Sequence, residues 1–167
     1  LSCPIGFKNG TDGNLQITFD AIKSASGEHH FLSVTKEGNS AIFSTSGNPY
    51  CHVILRGGSN KINYDSKSID DVSARLDKAN LPQQIIVDCS HANSMKDHKK
   101  QMLVVENLCE QLRTGEKRIK GLMIESNLIE GNQNINDSNL VYGKSVTDAC
   151  IGWEDTDMIL RKLAQAV

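Results

Sequence analysis

Five side chains spread along the chain are of the types needed to hold a cation or an anion: Lys8, Arg56, His91, Glu125 and Asp148. One imidazole and two carboxylates together suit a divalent ion of mixed hardness, such as Mn, Fe, Co or Zn. Lys8 and Arg56 are suited to a carboxylate or a phosphate, the arginine through a two-pronged contact and the lysine as a point charge. Spacing alone favours a plainer reading, because histidines at strand ends are often simply hydrogen-bonded and a basic strand end is often a salt bridge. For Arg56 the following Gly57 and Gly58 improve the case, since glycine lets backbone amides approach an anion closely. Cys89 shares a strand face with His91 and is a possible ligand, but a packed thiol is the better reading. His29, His30, His52 and His98 show no partner in the sequence and are read as structural or solvated.

These side chains are placed by strands. In Gln83 to Ser94, Q-Q-I-I-V-D-C-S-H-A-N-S, the run Ile85, Ile86, Val87 reads as a strand buried on both faces, with His91 beyond its carboxyl end. Cys51 to Arg56 ends likewise in arginine, Ile119 to Glu125 in glutamate, and Leu1 to Gly6 leads to Lys8. Polar groups gathered at the carboxyl ends of parallel strands mark the active sites of α/β barrels and doubly wound sheets.

Helical spacing follows each strand: Leu15, Phe19 and Ile22; Ile69, Val72 and Leu76; Met102, Val105, Cys109 and Leu112; and a final stretch around Met158 to Val167. Ser68 and Asp71 suit the cap of the second helix, Gly115 the end of the third, and the run Glu154 to Asp157 the start of the last. Phe31 to Thr35 and Ala41 to Thr45, separated by K-E-G-N-S, read as an inserted hairpin. A long polar loop joins Glu125 to the last helix. Four βα units and a hairpin make half of an eightfold barrel or all of a small open sheet. A start inside a strand favours the half barrel.

The formal net charge of −2 over 167 residues, with Lys and Arg scattered, points away from nucleic acid. No apolar run approaches the ~20 residues of a membrane span, and no charged-then-apolar leader opens the chain. The five cysteines are odd in number and form no Cys-x-x-Cys pair, which fits reduced thiols and a cytoplasmic protein.

Several blocks, taken together, resemble one family. They are P-I-G-F-K-N-G-T-D-G (4–13), I-L-R-G-G (54–58), D-C-S-H-A-N-S (88–94), I-E-S-N-L-I-E-G-N-Q (124–133) and S-V-T-D-A-C-I-G-W-E-D-T-D (145–157). In this order they resemble 3-deoxy-arabino-heptulosonate-7-phosphate (DAHP) synthases of the enteric bacterial and yeast type, and the likeness runs along the whole chain. It implies an α/β fold, a (β/α)8 TIM barrel of which residues 1–167 supply the carboxyl-terminal half, with the inserted hairpin at 31–45.

The implied reaction joins phosphoenolpyruvate to erythrose 4-phosphate, releasing phosphate, at the entry to aromatic amino-acid synthesis. By the same resemblance His91, Glu125 and Asp148 are three of four ligands to one divalent metal, Mn before Fe, Co or Zn, and the fourth is a cysteine upstream of Leu1. Lys8 and Arg56 would hold phosphoenolpyruvate, with Lys8 and His91 as the catalytic side chains. Ser2, Phe31, Ser33 and Phe43 match the region where an aromatic amino acid inhibits the family, and Ser33 leans the choice toward phenylalanine. A half barrel leaves strand edges unpaired, so either association or a remaining part of the barrel is expected to cover them, and a homo-oligomer is expected. Two rival readings stay open: a Schiff-base aldolase using Lys8, and an inactive piece that binds only an effector or its missing half. The isolated chain is expected to be inactive or nearly so.

Overall fold

The computed structural model describes residues 3–59 and 61–167, so Ser2, one of the expected effector contacts, lies outside the described residues. The elements run β1 (Ile5–Lys8), α1 (Gln16–Ser26), β2 (His29–Val34), β3 (Ser40–Thr45), β4 (Cys51–Leu55), α2 (Ser66–Lys78), β5 (Ile85–Asp88), α3 (Gln101–Arg113), β6 (Ile119–Met123), β7 (Ile129–Asn132), β8 (Lys144–Ser145) and α4 (Trp153–Ala164). β1, β4, β5 and β6 hydrogen-bond in that order into one sheet, and every pairing is parallel. All four carboxyl ends therefore lie along the same edge.

Alternation along the strands separates the two faces of this sheet. Cys51, Val53 and Leu55 of β4 and Ile85 and Val87 of β5 are buried, and they share one cluster with Phe19 and Ile22 of α1, Ile69, Val72 and Leu76 of α2, Val105 and Leu108 of α3 and Ile159 of α4. Ile69, Leu76, Val105 and Leu108 have no exposed surface, and each such side chain contributes about 2 kcal/mol of apolar burial. The alternate set, Gly6, Lys8, His52, Ile54, Ile86 and Asp88, points the other way in register across β1, β4 and β5. A Cβ on Gly6 would stand 2.3 Å from Ile54 and 2.8 Å from His52, so glycine is what lets those two side chains fold over β1.

Several expected boundaries shift. The first strand includes Lys8, and β6 stops at Met123, leaving Glu125 beyond the ladder. Asp65, rather than Ser68 or Asp71, caps α2: its carboxylate accepts from the Ser68 amide at 3.1 Å and the Ser68 hydroxyl at 2.6 Å. A side chain one turn before the first satisfied amide is the one that can reach it, and Ser68 and Asp71 already sit inside the helix. α4 begins at Trp153 with Glu154 and Asp155 in its first turn, and Thr156 donates back to the Gly152 carbonyl at 2.8 Å.

The hairpin forms as β2 and β3, antiparallel and apart from the main sheet, with Phe31 opposite Phe43 and Ser33 opposite Ala41. The long connection is structured rather than open. β7 and β8 pair with each other, Ser126 bridges Ile151, and Gly131 bridges Cys150, so the segment after β6 is laced to the one before α4. Among the described residues no helix is long and apolar enough to cross a membrane.

Candidate metal and anion site

His91 lies three residues past β5, Glu125 two residues past β6, and Asp148 in the turn before the Gly131–Cys150 bridge. Each offers one ligand atom, and the three atoms lie within 4.8 Å of one another. His91 Nε2 is 3.7 Å from Glu125 Oε1. An ion with bonds near 2.1 Å needs neighbouring donors about 3–4 Å apart, so these residues fit a divalent cation after small side-chain adjustment. The chemistry of the set agrees: one borderline nitrogen and two hard oxygens suit Mn, Fe, Co or Zn better than Mg or Ca alone.

The electrostatics point the same way. Burial pushes the Glu125 carboxyl above the usual range, and the Asp148 and Asp88 carboxylates add to the rise, against the opposing pull of His91 and a hydrogen bond from Ser90. A cation among them would offset both the desolvation and the repulsion.

The loop that presents His91 is held in an uncommon conformation. His91, Met95 and Lys96 have φ of 54°, 56° and 60°, the left-handed region that L residues with a Cβ seldom occupy. The His91 carbonyl accepts from the Lys96 amide at 2.7 Å and the Ser94 hydroxyl at 3.3 Å. Below it, Asn93 donates to the carbonyls of Asp88 at 2.9 Å and Leu55 at 3.2 Å, tying this loop to the ends of β4 and β5.

Arg56, His91, Glu125 and Asp148 line one cavity of about 530 Å³, with Lys96 and His98 on its wall. Arg56 is aimed by the buried Asn9: its amide donates to Asn9 Oδ1 and its Nε to the Asn9 carbonyl, both at 2.9 Å. The two glycines after it serve a purpose other than the expected one. The Gly57 amide donates to Asn63 Oδ1 at 2.7 Å and the Gly58 amide to the Lys61 carbonyl at 2.9 Å, so neither is free for an anion. They are needed for close packing, since a Cβ on Gly57 would meet Asn93 N at 2.9 Å and one on Gly58 would meet Gly13 N at 2.2 Å.

Lys8 is not on the cavity wall; its ammonium donates to Asp88 Oδ2 at 2.6 Å. Asp88 is 1% exposed and also accepts from the Ser90 amide at 3.0 Å and hydroxyl at 2.7 Å. Burial, the largest influence, pushes the Asp88 carboxyl up, but the bonds from Lys8 and Ser90 outweigh it and the net shift is downward.

Cys89 is fully buried in the core, where desolvation pushes its thiol far up, and it is not part of the ligand group. His98 was read as having no partner; in the fold its Nε2 lies 3.0 Å from Glu130 Oε1. Nothing in the sequence reading marks Asp88, Asn9, Asn93 or Lys96. The available signal was an aspartate ending an otherwise apolar strand and asparagines beside it, which look like turn residues until their buried partners are known. Phe31, Ser33 and Phe43 share one face of the hairpin, and the two rings stack with centroids 6.0 Å apart and 16° between planes.

Comparison with known proteins completes the picture. The family model described as "DAHP synthetase I family" matches residues 1–161. Over 168 residues the chain is 58% identical to the Escherichia coli K12 protein named phospho-2-dehydro-3-deoxyheptonate aldolase, Phe-sensitive, covering 100% of this chain and 48% of that one. It is 51% identical over 168 residues to the Trp-sensitive protein of the same strain, again covering 100% and 48%. A solved structure of the aldolase of that name from Francisella tularensis SCHU S4 superposes with a TM-score of 0.92 at 51% identity, covering 100% of this chain and 49% of that one. The chain thus spans about half the length of the relatives it matches.

Proposed function

The chain belongs to the DAHP synthetase I family, and we propose that it forms the carboxyl-terminal half of a metal-dependent (β/α)8 barrel enzyme that condenses phosphoenolpyruvate with erythrose 4-phosphate. The observation that carries this reading is the meeting of His91, Glu125 and Asp148, far apart in sequence, within 4.8 Å at the carboxyl edge of a parallel sheet. Parallel strands wrapped by helices on one face, with a second face half covered, suit a barrel closed by four further βα units. In that arrangement residues 1–167 form part of a single catalytic domain and the remaining metal ligand comes from outside this chain.

The bound metal, Mn before Fe, Co or Zn, supplies Lewis acidity at the aldehyde oxygen of erythrose 4-phosphate. Arg56 takes one anionic end of phosphoenolpyruvate in the cavity, as the fork geometry of a guanidinium allows. Lys8, leaving or sharing Asp88, offsets a second negative charge. Together they hold the enol carbon of phosphoenolpyruvate against the aldehyde carbon, a positioning effect worth several kcal/mol in a two-substrate reaction. After the carbon–carbon bond forms, water adds to the phosphate-bearing carbon and phosphate leaves. As a metal ligand His91 has limited freedom to move a proton, and the Asp88 carboxylate, with Oδ2 3.4 Å from its Nε2, stands beside the ring.

Removing metal from the full-length protein with a chelator is expected to abolish turnover, and adding Mn to restore it; undiminished turnover without metal would overturn the proposal. The rival Schiff-base aldolase needs the Lys8 nitrogen free as a nucleophile, whereas it is engaged in a 2.6 Å bond to the buried Asp88 carboxylate. Borohydride with a carbonyl substrate should therefore leave Lys8 unmodified. An aromatic amino acid, phenylalanine first, is the proposed effector of the hairpin face that bears Phe31, Ser33 and Phe43, a reading supported by the Phe-sensitive and Trp-sensitive names of the relatives. On the opposite face Leu32, Val34 and Ile42 are exposed, which supports assembly into a homo-oligomer. A cytoplasmic setting belongs to the same reading.

A further inference from the structure

Gln101 opens α3, has no exposed surface, and uses its carboxamide on the backbone of one proposed metal ligand. Its Oε1 accepts from the Glu125 amide at 2.8 Å, and its Nε2 donates to the Glu125 carbonyl at 3.1 Å and to the His98 carbonyl at 3.1 Å. The orientation of the amide is unambiguous, because the reverse would set its oxygen against two carbonyls and its NH2 against an N–H. Glu125 needs this support. β6 has ended at Met123, whose carbonyl takes the last sheet bond from the Cys89 amide.

The same bonds reach the third candidate ligand. The Glu125 carbonyl also accepts from the Ile151 amide at 3.0 Å, and Asn127 donates to the Ile151 carbonyl at 3.0 Å. Ile151 lies three residues after Asp148, and Cys150 between them is bridged to Gly131. Gln101 therefore stands at the root of a short lattice that fixes the backbone of Glu125 and, through Ile151, the turn carrying Asp148. It touches neither carboxylate.

We infer that Gln101 is a positioning residue of the metal centre, holding two of its ligand-bearing segments at the separation the ion needs. The inference rests on the metal-site reading above. Partners of this kind, one shell removed from the ion, typically account for about 10- to 100-fold in metal affinity.

A buried glutamine could instead serve stability alone, and α3 contains its own control. Gln111 is also buried, donates to the Tyr64 carbonyl and Asn107 Oδ1, both at 2.8 Å, and is not on the wall of the site cavity. The experiment titrates metal-free full-length protein with Mn2+ against a competing chelator and records the electron paramagnetic resonance spectrum of the bound ion. Gln101→Leu is expected to bind Mn2+ about 10- to 100-fold more weakly than the parent and with an altered spectrum, whereas Gln111→Leu keeps the parent affinity even if it melts earlier. Folded Gln101→Leu with parent affinity would overturn the inference, and so would an equal loss in Gln111→Leu. Should Gln101→Leu not fold, Gln101→Asn, which keeps the amide but withdraws it by one methylene, is read by the same criteria. A parent protein that takes up no Mn2+ would instead overturn the metal-site reading itself.

Discussion

Lys8 Nζ lies 2.6 Å from Asp88 Oδ2, and the same oxygen lies 3.4 Å from His91 Nε2. One buried carboxylate thus stands between the lysine proposed to hold a substrate anion and the histidine proposed to hold the metal. Its location follows from register: Lys8 is level with Ile54 and Ile54 with Ile86, and Asp88 is the next residue of β5 on that face. Replacing Asp88 by alanine strands the Lys8 ammonium and both Ser90 donors. The expected loss of stability is about 3 kcal/mol, at the lower end for a broken buried pair because the Lys8 side chain is 33% exposed. Urea unfolding checks it, and an unchanged midpoint would mean that water serves Lys8 as well as Asp88 does.

Removing a proposed ligand should act on metal uptake before it acts on folding. His91→Ala and Glu125→Gln are expected to lower bound Mn below one equivalent and to cut turnover about 1000-fold, the size of several kcal/mol of lost charge stabilisation. Glu125→Gln is the sharper case, because it keeps the shape of the side chain and relieves the carboxylate crowding with Asp148 and Asp88. Metal content by elemental analysis, set beside a thermal melt, separates the two effects.

Arg56→Lys keeps the charge but loses the Nε bond to the Asn9 carbonyl and the two-pronged grip. The expected outcome is a rise in KM for phosphoenolpyruvate of about tenfold with a smaller change in kcat, the pattern of a lost binding contact. Steady-state kinetics with each substrate varied in turn would show it. A rise confined to erythrose 4-phosphate would assign Arg56 to the other substrate.

Away from the site, Arg118 grips Glu116 with Nε on Oε1 at 2.9 Å and Nη2 on Oε2 at 2.5 Å, and bonds Asp70 at 2.6 Å. Arg118 is the first cause that holds the Glu116 carboxyl below the usual range, with burial opposing it. A depressed folded value means that the stabilisation is complete above the ordinary glutamate value, about pH 4.3, and is lost as pH falls through the folded value. Glu116→Gln should therefore be less stable than the parent at neutral pH, and the gap should close in acid. Denaturation midpoints across that range test the sign; a gap that widened in acid would refute it.

Much of this protein was legible in its one-dimensional pattern. The period-2 and period-3.6 runs at Cys51 to Leu55, Ile85 to Val87 and Ile69 to Leu76 announced strands and helices, because burial of one face or stripe is a local demand on residue type. The polar residues that interrupt those runs at Lys8, Arg56, His91 and Glu125 marked the functional edge, and the ordered blocks around them pointed to the family. Tertiary structure decided the partners. No spacing rule states that Lys8 meets Asp88, that Asn9 aims Arg56, that the amides of Gly57 and Gly58 are already in use, or that Gln101 holds the backbone of Glu125. The Gly57 and Gly58 contacts close within one loop, but the others join residues on different elements, and strand order, register and the twist of the sheet, which the chain settles only as a whole, bring them within hydrogen-bonding distance.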